Sequence, residues 1–132
     1  MIKPKLKRND LIYPELSYKL IGAAFNIFNN TGYGMNEKFY QKAFAKELES
    51  NGVDFDKEKL VKINYQNKEI GKYFLDFVVD NKIIVELKVR PRFGYVHIKQ
   101  VMDYLKTTGH KLAILIYFTR DGVKYRRVIN AL

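Results

Sequence analysis

Between Phe74 and Val89 two apolar runs, Phe74-Leu75-Asp76-Phe77-Val78-Val79 and Ile83-Ile84-Val85-Glu86-Leu87-Lys88-Val89, flank Asp80-Asn81-Lys82. This pattern predicts a β-hairpin with a tight polar turn. Three charges interrupt the runs: Asp76 in the first, Glu86 and Lys88 in the second. Strand side chains alternate between faces, which groups Ile84, Glu86 and Lys88 on one side and Val85, Leu87 and Val89 on the other. Asp76 falls in phase with Phe74 and Val78, whose size implies burial. An uncompensated buried charge is costly, so these three groups need one another, a metal or water. A two-residue turn would place Asp76 opposite Val85, with Asp76 and Glu86 on different faces. A three-residue connection, Asp80-Asn81-Lys82, pairs Asp76 with Glu86 on one face, with Cβ atoms about 4.5–5.5 Å apart. The three-residue connection, or a bulge of the same effect, is the expected one.

The remaining periodicities surround this hairpin. Leu16, Leu20, Ala23 or Ala24, and Ile27 recur at helical spacing after Pro14, predicting a helix from Pro14 to about Asn29. A second helix is expected from about Asn36 to Ser50, with Tyr40, Phe44 and Leu48 as its stripe. Glu37 falls three residues before Tyr40, and spacing alone favours a first-turn acid that complements the helix dipole. Residues 57–67 alternate as a strand, giving a three-stranded antiparallel meander over roughly 57–89. A third helix is expected from Tyr95 to Thr108, ended by Gly109, with Ile98, Val101, Met102 and Leu105 as its core stripe. His97, Gln100 and Tyr104 lie along its flank. His97 there reads as a partly buried flank histidine, whereas Gln100 needs hydrogen-bond partners. The uninterrupted apolar run Leu112–Phe118 predicts a strand buried on both faces, parallel to its neighbour across the helical crossover. Val123 to Ile129 reads as an amphipathic edge strand.

The chain of 132 residues carries 24 Lys+Arg against 14 Asp+Glu, a formal net charge of +10. A surplus of this size attracts polyanions, nucleic acid above all. Residues 1–10 form a basic leader and 11–132 a single domain. Arg90 and Arg92 follow directly on the Glu86/Lys88 strand, which suits either loop charges or phosphate contacts. With no cysteine, disulfides, thiolate zinc sites and cysteine nucleophiles are excluded, in keeping with a reducing, cytoplasmic setting. No apolar run approaches a membrane span, and the N-terminus lacks the apolar segment of a signal peptide.

The predicted order of helix, three-stranded meander, helix and strand, together with Asp76 and Glu86-Leu87-Lys88, resembles the PD-(D/E)XK nuclease superfamily. More narrowly, Gly34-Met35-Asn36-Glu37-Lys38-Phe39-Tyr40 resembles the motif of the small GxxExxY family. Its later elements resemble Ile84–Lys88, His97-Ile98-Lys99-Gln100 and Tyr104–Gly109. Asn36, Val89 and the basic Arg90-Pro91-Arg92 loop depart from that pattern without removing a functional position.

The resemblance implies a restriction-endonuclease-like α/β core, α-βββ-α-β, with a mixed central sheet flanked by helices. It implies Asp76, Glu86 and Glu37 as ligands of Mg²⁺ or Mn²⁺, joined by the backbone carbonyl of Leu87. Lys88 would position the attacking water or stabilise phosphate charge, and Gln100 would orient the lysine or the nucleophile. Arg90, Arg92, His97, Lys99 and Tyr104 would contact nucleic acid. The reading that follows is a metal-dependent phosphodiesterase acting on DNA rather than RNA, by in-line attack of water. The alternatives are a non-catalytic nucleic-acid-binding module of nuclease ancestry acting with a partner, and a basic domain with a buried ion-pair cluster. A homodimer through the edge strand at 123–129 would suit cutting of both strands.

Overall fold

The computed structural model describes residues 11–130. The basic leader expected at 1–10 lies outside the described residues. Helix α1 spans Pro14–Thr31 and α2 spans Glu37–Ser50. Proline occupies the first turn of α1, where no backbone N–H is required. Asn36 caps α2, its side chain accepting from Phe39 N at 2.8 Å, so one otherwise orphaned amide is satisfied. Strands β1 (Phe55–Tyr65) and β2 (Lys68–Val79) are joined at Gln66-Asn67. Both turn residues have left-handed φ, 49° and 66°, as a two-residue type I′ hairpin requires. Strand β3 (Ile83–Val89), helix α3 (Ile98–Thr108), β4 (Leu112–Thr119) and β5 (Gly122–Ile129) complete the order.

The five strands form one sheet in the order β1-β2-β3-β4-β5. Neighbours β3 and β4 are parallel, with α3 as their crossover, and every other pair is antiparallel. This is the mixed sheet flanked by helices that the resemblance implies. On one face α1 and α2 pack Leu20, Ala24, Tyr40 and Phe44 against Phe77, Val85, Leu87, Ile114, Ile116 and Phe118. On the other, α3 packs Val101, Tyr104 and Leu105 against Val78, Ile84, Leu115, Tyr117 and Val128. Each such large side chain contributes about 1.5–3 kcal/mol on burial. Strand β4, central and covered on both faces, is buried at all eight positions, as its uninterrupted apolar run requires.

Two irregularities position the site. The β2–β3 ladder covers only Phe77↔Val85, Val78↔Ile84 and Val79↔Ile83. Beyond it, β1–β2 pairing continues to Tyr65↔Lys68 and β3–β4 pairing to Val89↔Phe118. The sheet therefore forks at Asp76 and Glu86. Strand alternation also slips at the fork: Tyr73 and Leu75 pack in the α3 layer together with Val78, whereas Phe77 and Val79 pack in the other layer. On β1, Glu58, opposite Asp76, has φ +54°, and Phe55 and Val61 likewise fall in opposite layers. Such paired irregularities re-aim side chains beside functional sites.

The slip corrects one expectation: Phe74 is 57% exposed rather than buried. Two more corrections concern α3. It begins at Ile98, leaving Tyr95 and Val96 in the preceding turn. Met102 is exposed, while Tyr104 takes the buried position beside Val101 and Leu105, because the crossover rotates the stripe toward Tyr73. No helix among the described residues is long and apolar enough to cross a membrane.

Candidate active site

The connection between β2 and β3 is the three-residue Asp80-Asn81-Lys82, closed by Lys82 N donating to Val79 O at 2.9 Å. The register it sets brings Asp76 and Glu86 face to face where the ladder stops. Here the two carboxylates replace ladder hydrogen bonds. Asp76 N donates to Glu86 Oε2 at 2.7 Å, and Leu87 N donates to Asp76 Oδ2 at 2.9 Å. Each side chain is thus fixed by the backbone of the opposite strand through one oxygen. A strand residue's N–H and C=O point toward the same neighbour, so the Leu87 carbonyl faces the same gap as its amide.

Glu86 is 3% exposed. Burial, reinforced by the Asp76 carboxylate, pushes its pKa up to about 8. Burial likewise raises Asp76, although the Leu87 amide and Lys88 act in the opposite sense. Lys88 is close enough to favour the ionised form of both carboxyls. Among the described residues, however, it forms no ion pair with either one. Its charge is held beside the pair without being consumed by it.

Glu37, in the first turn of α2, contributes repulsion to both carboxylates and makes an ion pair of 3.7 Å with Arg90 Nη1. Helix α2 is set at this depth by Tyr40, which stacks on Phe118 with ring centroids 4.2 Å apart. The Tyr40 hydroxyl donates to Gly32 O at 2.5 Å, and Gly34 has φ +119°, a conformation suited to glycine. His97 and Gln100 open α3 beside this group. Burial holds the His97 pKa below its ordinary value, helped by Lys88, while a hydrogen bond with Gln100 acts the other way.

Not every candidate meets the site. Lys99 is 86% exposed and paired with Asp103 at 3.8 Å, so it points away. Tyr104 is buried, its ring 4.2 Å from that of Tyr73. Burial raises its pKa, with Glu86 the next contributor; it backs the carboxylates rather than facing solvent. Arg92 lies exposed in the loop after β3. Glu58, whose charge reaches Asp76, is missing from the sequence reading; its place opposite Asp76 across β1–β2 is the signal that finds it. Tyr117 is missing too, because its position beside Lys88 depends on the parallel register.

The donors suit a hard divalent cation. Two carboxylates whose burial raises their pKa values, with a strand carbonyl in the same gap, match oxygen-ligated Mg²⁺ or Mn²⁺. No group of three or more His, Asp or Glu side chains among the described residues is placed to hold an ion. The backbone carbonyl and water would therefore have to complete the coordination.

The sequence model for the PD-(D/E)XK nuclease superfamily matches residues 14–128. The chain belongs to the PD-(D/E)XK nuclease superfamily. A comparison with curated proteins finds no match. Among solved structures, the crystal structure of SSO0001 is similar with a TM-score of 0.54 and 19% identity, covering 91% of this chain. This PD-(D/E)XK chain spans 60% of that protein's length, and the likeness supports the shared fold.

Proposed function

We propose that this PD-(D/E)XK protein is a divalent-metal-dependent nuclease that hydrolyses phosphodiester bonds, with DNA as substrate, by in-line attack of water. The observation that carries the proposal is the facing pair Asp76 and Glu86 at the fork, with Lys88 beside them and ion-paired to neither. A structural ion-pair cluster would instead bring the lysine into contact with the acids, since buried charges need partners.

In this reading Asp76, Glu86 and the Leu87 carbonyl hold Mg²⁺ or Mn²⁺, and Glu37, which is not placed with them as a third ligand, would act on the ion through a bound water. When bound, the cation supplies Lewis-acid polarisation of the phosphoryl group and lowers the pKa of bound water. The protein's own groups do the rest. The strand amides of Asp76 and Leu87 keep the carboxylates from rotating, so little reorganisation accompanies substrate binding. Lys88 offsets charge on the phosphate and orients the water, and Gln100 with His97 limits the lysine's freedom. Arg90, between Glu37 and the open side, and Arg92 beyond it meet the flanking phosphates.

The segment Gly34–Tyr40 supports placement in the GxxExxY family. Its glycine turns the chain, its tyrosine anchors α2 on Phe118, and its glutamate is thereby delivered toward Asp76. The test is cleavage of labelled single-stranded, duplex and branched DNA, and of RNA, with Mg²⁺, Mn²⁺ or EDTA. Cutting that needs the cation and is lost in Asp76→Ala is the expected result. Binding without cutting, and no uptake of Mn²⁺ by calorimetry, would overturn it.

A further inference from the structure

A basic and aromatic surface continues from the site toward the β5 edge. On the α3 side of the sheet Lys88 pairs with Tyr117, and Tyr117 with Lys124. Register partners share a face, so Lys88, Tyr117 and Lys124 form one transverse row, the two lysines about 10 Å apart across two strand spacings. Arg126 lies on the same face of β5, its guanidinium 5.7 Å from the centroid of the Tyr95 ring. Tyr95 is 69% exposed. Phe93 meets it edge-on at 5.3 Å and itself packs 4.7 Å from Tyr117, so the exposed ring stands on a fixed base. Arg120 N donates to Pro91 O at 3.2 Å, tying the β4–β5 turn to the same loop.

The charge along this surface is nearly of one sign. Residues 90–97 and 120–127 contain Asp121 as their one acid. Arg92, Arg120, Lys124 and Arg126 are exposed and form no ion pair among the described residues. Uncompensated cations interleaved with an open ring are the features that hold a flexible polyanion with accessible base faces. A duplex keeps its bases stacked and offers Tyr95 no ring to meet. A second copy of β5 is disfavoured, because edge pairing would crowd Lys124, Arg126 and Arg127 of both chains.

We infer that loop 90–97 and β5 form the path of a single-stranded nucleic-acid segment leading to the carboxylate pair, with a base stacked on Tyr95 and phosphates at Lys124 and Arg126. Its link to the carboxylates rests on the nuclease reading; the binding itself does not. The test is fluorescence anisotropy of a short labelled oligothymidylate and of a duplex of equal charge, in EDTA across a salt series. Tyr95→Ala should weaken oligothymidylate binding by roughly fivefold or more, and Tyr95→Phe should restore it. Replacing Lys124 and Arg126 together by glutamine should reduce the slope of log affinity against log salt by about 1.4. All four substitutions are at exposed positions, and circular dichroism checks the fold. Wild-type affinity and slope in these variants, no oligothymidylate binding by wild type, or tighter duplex binding insensitive to Tyr95→Ala would each overturn the inference. If the path binds but cation-dependent cutting is absent, only the nuclease reading fails. If cutting occurs and the variants bind unchanged, only the path fails.

Discussion

The backbone amide of Asp76 donates to Glu86 Oε2 at 2.7 Å, so the residue whose carboxylate repels Glu86 also holds it in place. Leu87 N returns the arrangement by donating to Asp76 Oδ2 at 2.9 Å. Hydrogen bonds to charged groups contribute about 1.5–3 kcal/mol each, enough to keep two like charges at the end of a ladder that would otherwise spread. The pair is preorganised by main chain rather than by other side chains.

This pair sets the pH dependence of the metal-free protein. The folded-state pKa of Glu86, about 8, lies above its ordinary carboxyl value, so between the two the folded protein binds a proton that the unfolded chain has released. Stability is therefore greatest in mild acid and falls as pH rises through about 8, by on the order of 2–4 kcal/mol. Urea denaturation in EDTA at mildly acid and mildly alkaline pH measures this. His97 and His110 are held below their ordinary values by burial and act in the opposite sense in the acid range, so Glu86→Gln is the proper reference.

Glu86→Gln itself keeps an acceptor for the Asp76 amide while removing the charge. We expect a higher Tm than wild type at alkaline pH without added cation, and loss of any cation-dependent cutting. Scanning calorimetry with and without Mn²⁺ checks both the sign and its reversal. Mn²⁺ should raise the Tm of wild type more than that of the variant.

Asn36→Ala removes the cap from the helix that carries Glu37. A loss of about 1 kcal/mol is expected, read as a lower urea midpoint at unchanged slope. Because the first turn of α2 frays without its cap, cutting should fall further than in an equally destabilised variant elsewhere.

Tyr40→Phe keeps the stack on Phe118 but removes the donor to Gly32 O. The partly buried carbonyl keeps only the long contact of 3.5 Å from Thr31 Oγ1, and about 1–2 kcal/mol of stability should go with the lost bond. Tyr40→Ala, which also opens a cavity, should cost about 3–5 kcal/mol.

Much of this architecture is legible in the chain. The apolar runs of β2 and β3 and their polar connection place Asp76 opposite Glu86, because alternation and turn length together leave one register with both acids on one face. The uninterrupted run of β4 announces a covered, parallel strand. What escapes is what depends on distant partners. Phe74 follows the alternation yet turns outward, because β1 and β2 slip together at Glu58 and Asp76, and no local pattern in either strand records the other's slip. Met102 fits the helical stripe as well as Tyr104 does, and only the presence of Tyr73 across the sheet decides between them. Tyr117 beside Lys88 is a product of parallel register, which a helical crossover leaves open. The position of Glu37 follows from the stack of Tyr40 on Phe118, nearly eighty residues beyond that tyrosine along the chain.

The short β2–β3 ladder also divides the sheet mechanically. Strand β4 has hydrogen-bonded neighbours on both sides along its length, so its amides should exchange with solvent only on global unfolding. The β1–β2 hairpin beyond Asp76 is a two-stranded ribbon, a form of marginal stability by itself, and its tip, with Tyr65 and Ile70 exposed, is free to bend. A lever displaces its tip most and its root least. Tyr73 holds the ribbon against Tyr104 of α3 between that tip and Asp76, so bending at the tip leaves the two carboxylates where they are.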